Sequence, residues 1–284
     1  MKNILTLGNA ADAIASSLEK YGNYALYSVK NSGSKSKNSY IIPEYTDPEE
    51  YESFENISKI NFLKHIKKEV TLFVCGASKT SAMALRLLEY FYKKSINIKV
   101  VYFEPDTELC SEQQKLQERT VKNVLQEYAR SGLFEEITLV SNRAVESLVE
   151  SINVFEYFEQ INDIFCDSYH MIEVFKNTKP IFSTFSKIKE SSRIKTIGIS
   201  NLQCEDKVFF PFKQGTEVIY YFGINEQKLK SEGNLLRELT ENIKSKISDN
   251  MKVYFGIYPT KYESDYVYVE YHSPKIQNYL LTEN

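Results

Sequence analysis

The feature that most constrains the fold is an alternation of short apolar runs with helical patterns over the first 140 residues. The segments between the runs, such as residues 80–94 and 111–130, carry apolar side chains at helical spacing. Strands that alternate with helices in this way predict a mainly parallel sheet covered on both faces. The five apolar runs are residues 3–7, 24–29, 70–75, 98–103 and 136–140.

A long helical pattern follows this first region. Asn153 and Glu156 have the spacing of a capping box, which predicts a helix that begins at Val154 and ends near Lys176. Apolar residues occupy nearly all faces of this segment, so we expect the helix to be buried between two domains. The side chains expected to be most buried are Phe158, Phe165 and Ile172.

The pattern changes after Pro180. Residues 181–191 look helical, and residues 235–247 form a second helical pattern. Strands are predicted at residues 193–202, 216–224, 251–258 and 265–272. The last two lie close together and predict a hairpin in a small mixed or antiparallel sheet. We therefore predict an α/β domain over residues 1–152, a central linking helix over 153–178 and an α+β domain over 179–284.

Composition and charge exclude several classes of function. The net charge is -3, which gives no global attraction to nucleic acid or to an anionic membrane. No apolar run reaches the length of a membrane span, and the first residues enter a strand pattern without a signal-peptide core. We therefore expect a cytoplasmic protein without membrane insertion. The four cysteines and three histidines have no metal-ligand spacing.

Four segments carry a resemblance to a known family. They are LGNAADAIASSLEKYG at residues 7–22, VTLFVCGASKTSAMALRLLEYF at 70–91, ITLVSNRAVESL with FEYFEQINDIFCDSYHMIEVF at 137–175, and the C-terminal series GISNL, VIYYFGI, LLRELTENIKSKI, VYFGIYP and YVYVEY. In this order they resemble the FtsZ/tubulin superfamily. The resemblance implies a Rossmann-like, nucleotide-binding-like first domain, a long central helix and a smaller α+β C-terminal domain. It also implies a filament-forming or filament-associated protein with GTP or GDP as its ligand.

The resemblance implies two phosphate-facing turns. The first is Gly8, Asn9 and Ala10, where Asn9 is equally well explained as the N-cap of the first helix. The second lies where the family has a run of glycines, of which this chain keeps only Gly76. Its sequence is Gly76, Ala77, Ser78, Lys79 and Thr80. Three interpretations stay open for it: a capped helix start without a ligand, a retained phosphate site, and a Walker-type loop that lacks its glycines.

The resemblance also implies where a guanine base is bound. Asn142 and Asn162 match the base-contacting region, and an asparagine amide can pair with a base edge. The alternatives are a loop N-cap for Asn142 and a hydrogen-bonded helix residue for Asn162. Asp163 replaces Asn162 as the candidate if the register shifts by one residue.

The hydrolytic loop of the family presents acidic residues to the nucleotide of the next subunit. The matching residues 182–187 have Thr184 and Lys187 at the two acidic positions, and neither side chain is a carboxylate base. The resemblance therefore implies self-association, or association with a related filament subunit, with GTP hydrolysis weak or lost. Two alternatives stay open: a nucleotide-free scaffold or accessory protein of this fold, and a doubly wound enzyme of unknown substrate.

Overall fold

The computed structural model describes residues 1–149 and 155–278. The chain divides into two compact units, Met1–Cys166 and Asp167–Asn284, and the division falls inside a long helix. The predicted domain bounds at residues 152 and 178 stay a prediction.

The first unit is built on parallel strands. Their order across the sheet is β3-β2-β1-β4-β5-β6, and each neighbouring pair runs parallel. The interior of β4 is buried and, apart from Thr71, apolar, as expected for a strand with helices on both faces. The strands are β1 (Lys2–Leu7), β2 (Tyr24–Lys30), β3 (Ser39–Ile41), β4 (Glu69–Cys75), β5 (Asn97–Glu104) and β6 (Glu136–Ser141).

Helices follow the strands of this unit. They are α1 (Asn9–Ser16), α2 (Pro48–Glu52), α3 (Ala84–Lys93), α4 (Glu112–Ser131) and α5 (Asn142–Glu146). Asp47 and Glu50 form the capping box that begins α2, and Ser111 with Gln114 forms the one that begins α4. Helices α1 and α5 begin directly after β1 and β6, so their N-termini lie at the carboxyl edge of the sheet. A 3-10 helix reaches the same edge after β4.

The long helix α6 spans Tyr157–Lys176. The predicted cap Asn153 and first residue Val154 lie outside the described residues. Phe165 and Ile172 are buried as expected, and the Phe165 ring packs edge-on against Phe73 and Phe103. The prediction for Phe158 is wrong, because 71% of that residue is exposed. Phe158 lies in the first turn of α6, before the part of the helix that packs on the sheet.

The second unit contains a mixed sheet with strand order β8-β12-β10-β11-β7 and with β9 beside β8. Strands β10 and β11 run parallel, and the other pairs run antiparallel. Its core includes Tyr220, Phe222 and Leu239. The elements are β7 (Phe182–Ser183), β8 (Ile194–Ser200), β9 (Lys207–Val208), β10 (Glu217–Asn225), α7 (Glu226–Ser231), α8 (Leu235–Lys244), β11 (Lys252–Thr260) and β12 (Tyr266–Ser273).

Two predictions for this unit are wrong. Strands β11 and β12 do not form a hairpin, because both pair with β10, one on each side. Residues 181–191 do not form a helix. They begin with β7 on the edge of β11, where the main-chain N–H and oxygen of Phe255 bond Thr184. Pairing with the edge of β11 gives these backbone groups hydrogen-bond partners, in place of the hydrogen bonds that a helix would supply.

Among residues 1–149 and 155–278, no helix has both the length and the apolarity needed to cross a bilayer.

Candidate functional site

The two predicted phosphate turns are in contact. Gly8 follows β1 with φ 90°, and its N–H donates to the Val29 oxygen at 2.8 Å. A Cβ atom at Gly8 would lie 2.6 Å from Thr80 Oγ1 and 3.6 Å from Ser78 Oγ. Glycine is required here both by the positive φ and by this close approach. The turns after β1 and β4 therefore form one continuous surface at the carboxyl edge of the sheet.

The second turn is shaped by hydroxyl groups. Ser78 stands at the N-cap position of a 3-10 helix, Lys79–Met83, which continues into α3. The Ser78 hydroxyl caps no backbone group and lies 2.6 Å from the hydroxyl of Thr80. Ser81 Oγ donates to the Gly76 oxygen at 3.1 Å. The helix predicted over residues 80–94 thus begins as a 3-10 helix without the expected side-chain cap.

The one remaining glycine of this turn has a packing role. A Cβ atom at Gly76 would lie 2.0 Å from the Tyr102 hydroxyl and 2.6 Å from Tyr102 Cζ. The absence of a side chain at Gly76 therefore makes room for the Tyr102 ring beneath the turn. Ala77 is half-buried beside it.

Asn9 is engaged within the protein. Its amide donates to Ser32 Oγ at 2.6 Å, and its carbonyl accepts the Asn31 N–H at 3.1 Å. The N-cap of α1 is Gly8, so the interpretation of Asn9 as that cap is wrong. Asn9 instead fixes the loop after β2, and Ala10 beside it is exposed.

The side chains of three predicted site residues make no hydrogen bond to any described residue. They are Lys79, which is exposed, and the half-buried Asn142 and Asn162. Asn142 is the first residue of α5, whose N-cap is Ser141, so the loop N-cap alternative for Asn142 is wrong. Asp163, the alternative to Asn162, forms an ion pair with Lys20 at 3.4 Å.

The charged side chains at this edge differ in whether they have an ion-pair partner. Lys30 Nζ lies 2.5 Å from Asp12 Oδ2, and the Thr6 hydroxyl donates to the same carboxylate at 3.3 Å. Asp12 in the first turn of α1 is therefore neutralised by Lys30. Lys79 keeps a positive charge free of any described anionic partner, so the turn around it favours an anion.

A buried charged cluster lies beneath the second turn, and sequence reasoning missed it. Lys122 Nζ lies 2.5 Å from Glu104 Oε1 and 2.9 Å from Glu118 Oε1. The Tyr102 hydroxyl donates to the main-chain oxygen of Glu118 at 3.1 Å and to its carboxylate at 3.3 Å. Burial raises the pKa of Glu104 to about 7, although Lys122 acts to lower that pKa. The only sequence signal was the i,i+4 spacing of Glu118 and Lys122, which is typical of a surface pair.

Residues 182–187, which the resemblance compares with the family's hydrolytic loop, lie in the second unit. The Thr184 hydroxyl accepts the Phe255 N–H at 3.0 Å, so this side chain holds the loop on β11. Lys187 Nζ lies 2.7 Å from Glu190 Oε1, and hydrogen bonding to Lys187 lowers the pKa of Glu190. Neither residue supplies a carboxylate at its position. Within the described part of the chain, no group of three acidic, histidine or cysteine side chains could hold a metal ion.

Comparison with known proteins gives structural matches only. No protein-family model matches the sequence, and no curated protein matches it. Among solved structures, the chain is similar to a GTPγS-bound protofilament of CetZ2 from Haloferax volcanii, with a TM-score of 0.72, 12% identity, and coverage of 95% of this chain and 92% of that one. The chain has the FtsZ/tubulin fold.

Two further structures agree with this fold. An empty FtsZ dimer from M. jannaschii matches with a TM-score of 0.68 and 10% identity, over 96% of this chain and 88% of that one. A GTPγS-form protofilament of TubZ from Bacillus thuringiensis serovar israelensis matches with a TM-score of 0.70 and 12% identity, over 96% and 86%. The predicted FtsZ/tubulin-like fold class is therefore confirmed, for a divergent sequence.

Proposed function

We propose that this FtsZ/tubulin-like protein binds a guanine nucleotide at the carboxyl edge of its first unit and associates with itself or with a related filament subunit. GTP hydrolysis is weak or lost. The observation that carries the proposal is the contact between the two turns, in which Gly8 approaches Thr80 too closely for any side chain at position 8. A surface built from two strand–turn–helix junctions suits the phosphates of a nucleotide.

The polar groups at this edge fit such a ligand. Lys79 supplies a cation at the second turn. Its ammonium has no ion-pair or hydrogen-bond partner among the described residues. Glycines would let the backbone come close to a phosphate. Here the hydroxyls of Ser78 and Thr80 take that role, because hydroxyl groups donate readily to phosphate oxygens. Asn142 and Asn162 offer amide groups for a base edge. These residues are the ligand set that we propose.

The names of the structural neighbours agree with a nucleotide and with assembly. CetZ2 and TubZ are described as protofilaments with GTPγS, and another CetZ structure is a GDP-bound monomer. Those descriptions belong to those proteins. Applied to this chain, they support GTP or GDP as the ligand and filament formation as the outcome of self-association.

The loss of hydrolysis follows from the loop in the second unit. A carboxylate polarises an attacking water, whereas a threonine hydroxyl that already accepts a backbone N–H is a poor base. The Lys187 ammonium faces Glu190 and is a cation at the second acidic position. A contact between two copies of this chain therefore lacks both carboxylates.

The second candidate is a nucleotide-free scaffold of the same fold. The pairing of Ser78 with Thr80 favours it, because these hydroxyls already satisfy each other within the turn. Asn9 likewise has protein partners. The two candidates differ in whether the edge of the sheet holds a ligand.

The experiment is to identify the species bound after native purification and to measure GTP, GDP and ATP binding by calorimetry. We expect guanine nucleotide, and we expect Lys79→Ala to weaken GDP binding by about tenfold through loss of a charge-assisted bond. Lys93→Ala is the matched control, because Lys93 pairs with Glu89 at the far end of α3. Absence of binding at millimolar ligand would reject this function in favour of the scaffold.

A further inference from the structure

Four buried side chains lie beneath the second turn and have no part in the ligand set proposed above. They are Tyr102 and Glu104 on β5 and Glu118 and Lys122 on α4, each no more than 5% exposed. Burying ionised groups carries a large desolvation penalty, and well-packed apolar side chains are often at least as stable. Stability alone is therefore a weak reason for this cluster.

The first connection from the cluster to the turn passes through Tyr102. Its hydroxyl occupies the space where Gly76 would carry a Cβ atom, so the ring supports the turn directly from below. The same hydroxyl is fixed by two hydrogen bonds to Glu118. A shift of α4 at this point therefore moves the ring on which Gly76 rests.

The second connection begins one residue earlier on α4. Gln117 Nε2 donates to Ser81 Oγ at 3.2 Å, and Ser81 Oγ donates to the Gly76 oxygen at 3.1 Å. Gln117 and Glu118 thus reach the two ends of the turn by separate contacts. Together the two connections fix both the start and the end of residues 76–81.

Lys122 fixes the cluster itself. Its ammonium lies between the carboxylates of Glu104 and Glu118, at 2.5 and 2.9 Å. A buried carboxylate without such a partner would favour another rotamer or its neutral form. Lys122 therefore holds the Glu118 side chain in the position that binds Tyr102.

We propose that Tyr102, Glu118 and Lys122 are positioning residues that hold the turn of residues 76–81 in the shape that receives phosphate, and that they link this turn to α4. The inference rests on the nucleotide function proposed above for its ligand. It adds that this turn, which lacks most of the family's glycines, is held rigid by a buried hydrogen-bonded support.

The test compares local with global protection in the ligand-free protein. Amide hydrogen exchange is measured at Gly76 and Ser81, whose N–H groups donate to Phe103 and Ser78, and at Leu72 inside β4 as a reference. Tyr102→Phe keeps the ring and removes the hydroxyl. We expect it to raise exchange at Gly76 and Ser81 by about tenfold, the effect of losing one buried hydroxyl donor, without a change at Leu72.

Two further variants complete the experiment. Gln117→Ala removes only the second connection from a half-buried position, so it should raise exchange at Ser81 without unfolding the protein. Glu112→Gln is the control, because Glu112 lies on α4 but is 90% exposed and, among the described residues, forms an ion pair with Lys115 alone. Calorimetry with GDP should give a loss of affinity in Tyr102→Phe that matches the loss of protection at the turn.

The possible results separate the two proposals. Unchanged exchange at the turn in Tyr102→Phe and Gln117→Ala overturns the positioning role. Equal increases at the turn and at Leu72 also overturn it, because the cluster would then only stabilise the fold. If the turn responds as expected but the unmodified protein binds no nucleotide, the support role stands and the nucleotide function fails.

Discussion

At the scale of single residues, the pKa of Glu104 is strongly shifted by its surroundings beneath the candidate site. Its carboxylate is 2% exposed and shares Lys122 with Glu118, so two carboxylates face one ammonium. Burial raises the pKa of Glu104 from 4.5 to about 7. The Tyr102 hydroxyl, on the same strand, has a pKa raised well above its ordinary value by burial and by these carboxylates. The cluster therefore gains a net negative charge as Glu104 loses its proton.

The first prediction concerns pH and stability. Between pH 4.5 and about 7 the folded protein binds a proton at Glu104 that the unfolded chain releases. The contribution of Glu104 to stability is therefore fully present at low pH and is lost as the pH rises to about 7. We expect Glu104→Gln to remove this slope from the free energy of unfolding, measured by urea denaturation across that range. Glu112→Gln is the control, and equal slopes in Glu104→Gln and the unmodified protein would contradict the prediction.

The second prediction concerns Asn162. If its amide binds a base edge, Asn162→Leu should weaken guanine nucleotide binding by about 1–3 kcal/mol, the penalty of leaving a polar group of the ligand unpaired. Gln160→Leu is the matched control on α6, because Gln160 is also half-buried and its amide already bonds Glu156, just before the helix. Calorimetry with GDP is the measurement. Equal affinities in the two variants would show that a residue other than Asn162 contacts the base.

At the scale of elements, the sequence predicted local order better than pairing. Strand–turn–helix junctions at Gly8 and Gly76 were recognisable, because an apolar run, a turn residue and a helical pattern are all local signals. The pairing of β11 with β10 was not, because the close spacing of β11 and β12 favoured a hairpin. Strand partners are decided by long-range contacts that periodicity does not contain.

The candidate site was predictable to the same extent. Its two turns follow β1 and β4, Asn142 follows β6, and Asn162 lies on α6, as the local patterns predicted. Whether they bind a ligand stays a prediction. The cluster beneath the turn could not be predicted from the sequence. Glu118 and Lys122 have the spacing of a solvent-exposed ion pair on a helix, and no local sequence pattern indicates that they are buried. Their burial follows from where α4 packs.

The third prediction tests the segment that follows α6. A Cβ atom at Gly256 on β11 would lie 2.5 Å from Phe185 Cζ, so the aromatic ring covers this glycine. Gly256→Ala should destabilise the protein by about 1–3 kcal/mol through overpacking. In a double-mutant cycle, Phe185→Ala should relieve much of that loss, with a coupling free energy above about 0.5 kcal/mol. Additive effects in thermal denaturation would show that the ring does not rest on β11.

At the scale of the whole molecule, the proposed function depends on contacts between copies. The resemblance implies that one subunit presents its loop to the nucleotide of the next. Here that loop offers Thr184 and Lys187, and Lys187 already has Glu190 as a neighbour. A cation near the phosphates of a neighbouring subunit would stabilise their charge, which favours a long-lived nucleotide-bound contact over turnover.

The fourth prediction is that phosphate release per molecule does not rise with protein concentration. In an assembling GTPase it rises, because each new contact completes a site, whereas here each new contact adds a hydroxyl and an ammonium. The assay measures phosphate release from GTP over a range of protein concentrations, with light scattering to record assembly. Thr184→Asp with Lys187→Asp restores two carboxylates and should introduce a concentration-dependent rate.

Lys189→Asp is the control for that double variant, since it adds a carboxylate in the same exposed segment but at neither of the two positions. A rate that climbs with concentration in the unmodified protein and persists in Lys187→Ala would contradict the prediction. Glu190 would then be the first candidate, because removal of Lys187 leaves its carboxylate without the ammonium that lowers its pKa. Abolition of that rate by Glu190→Gln would assign the water-polarising role to Glu190.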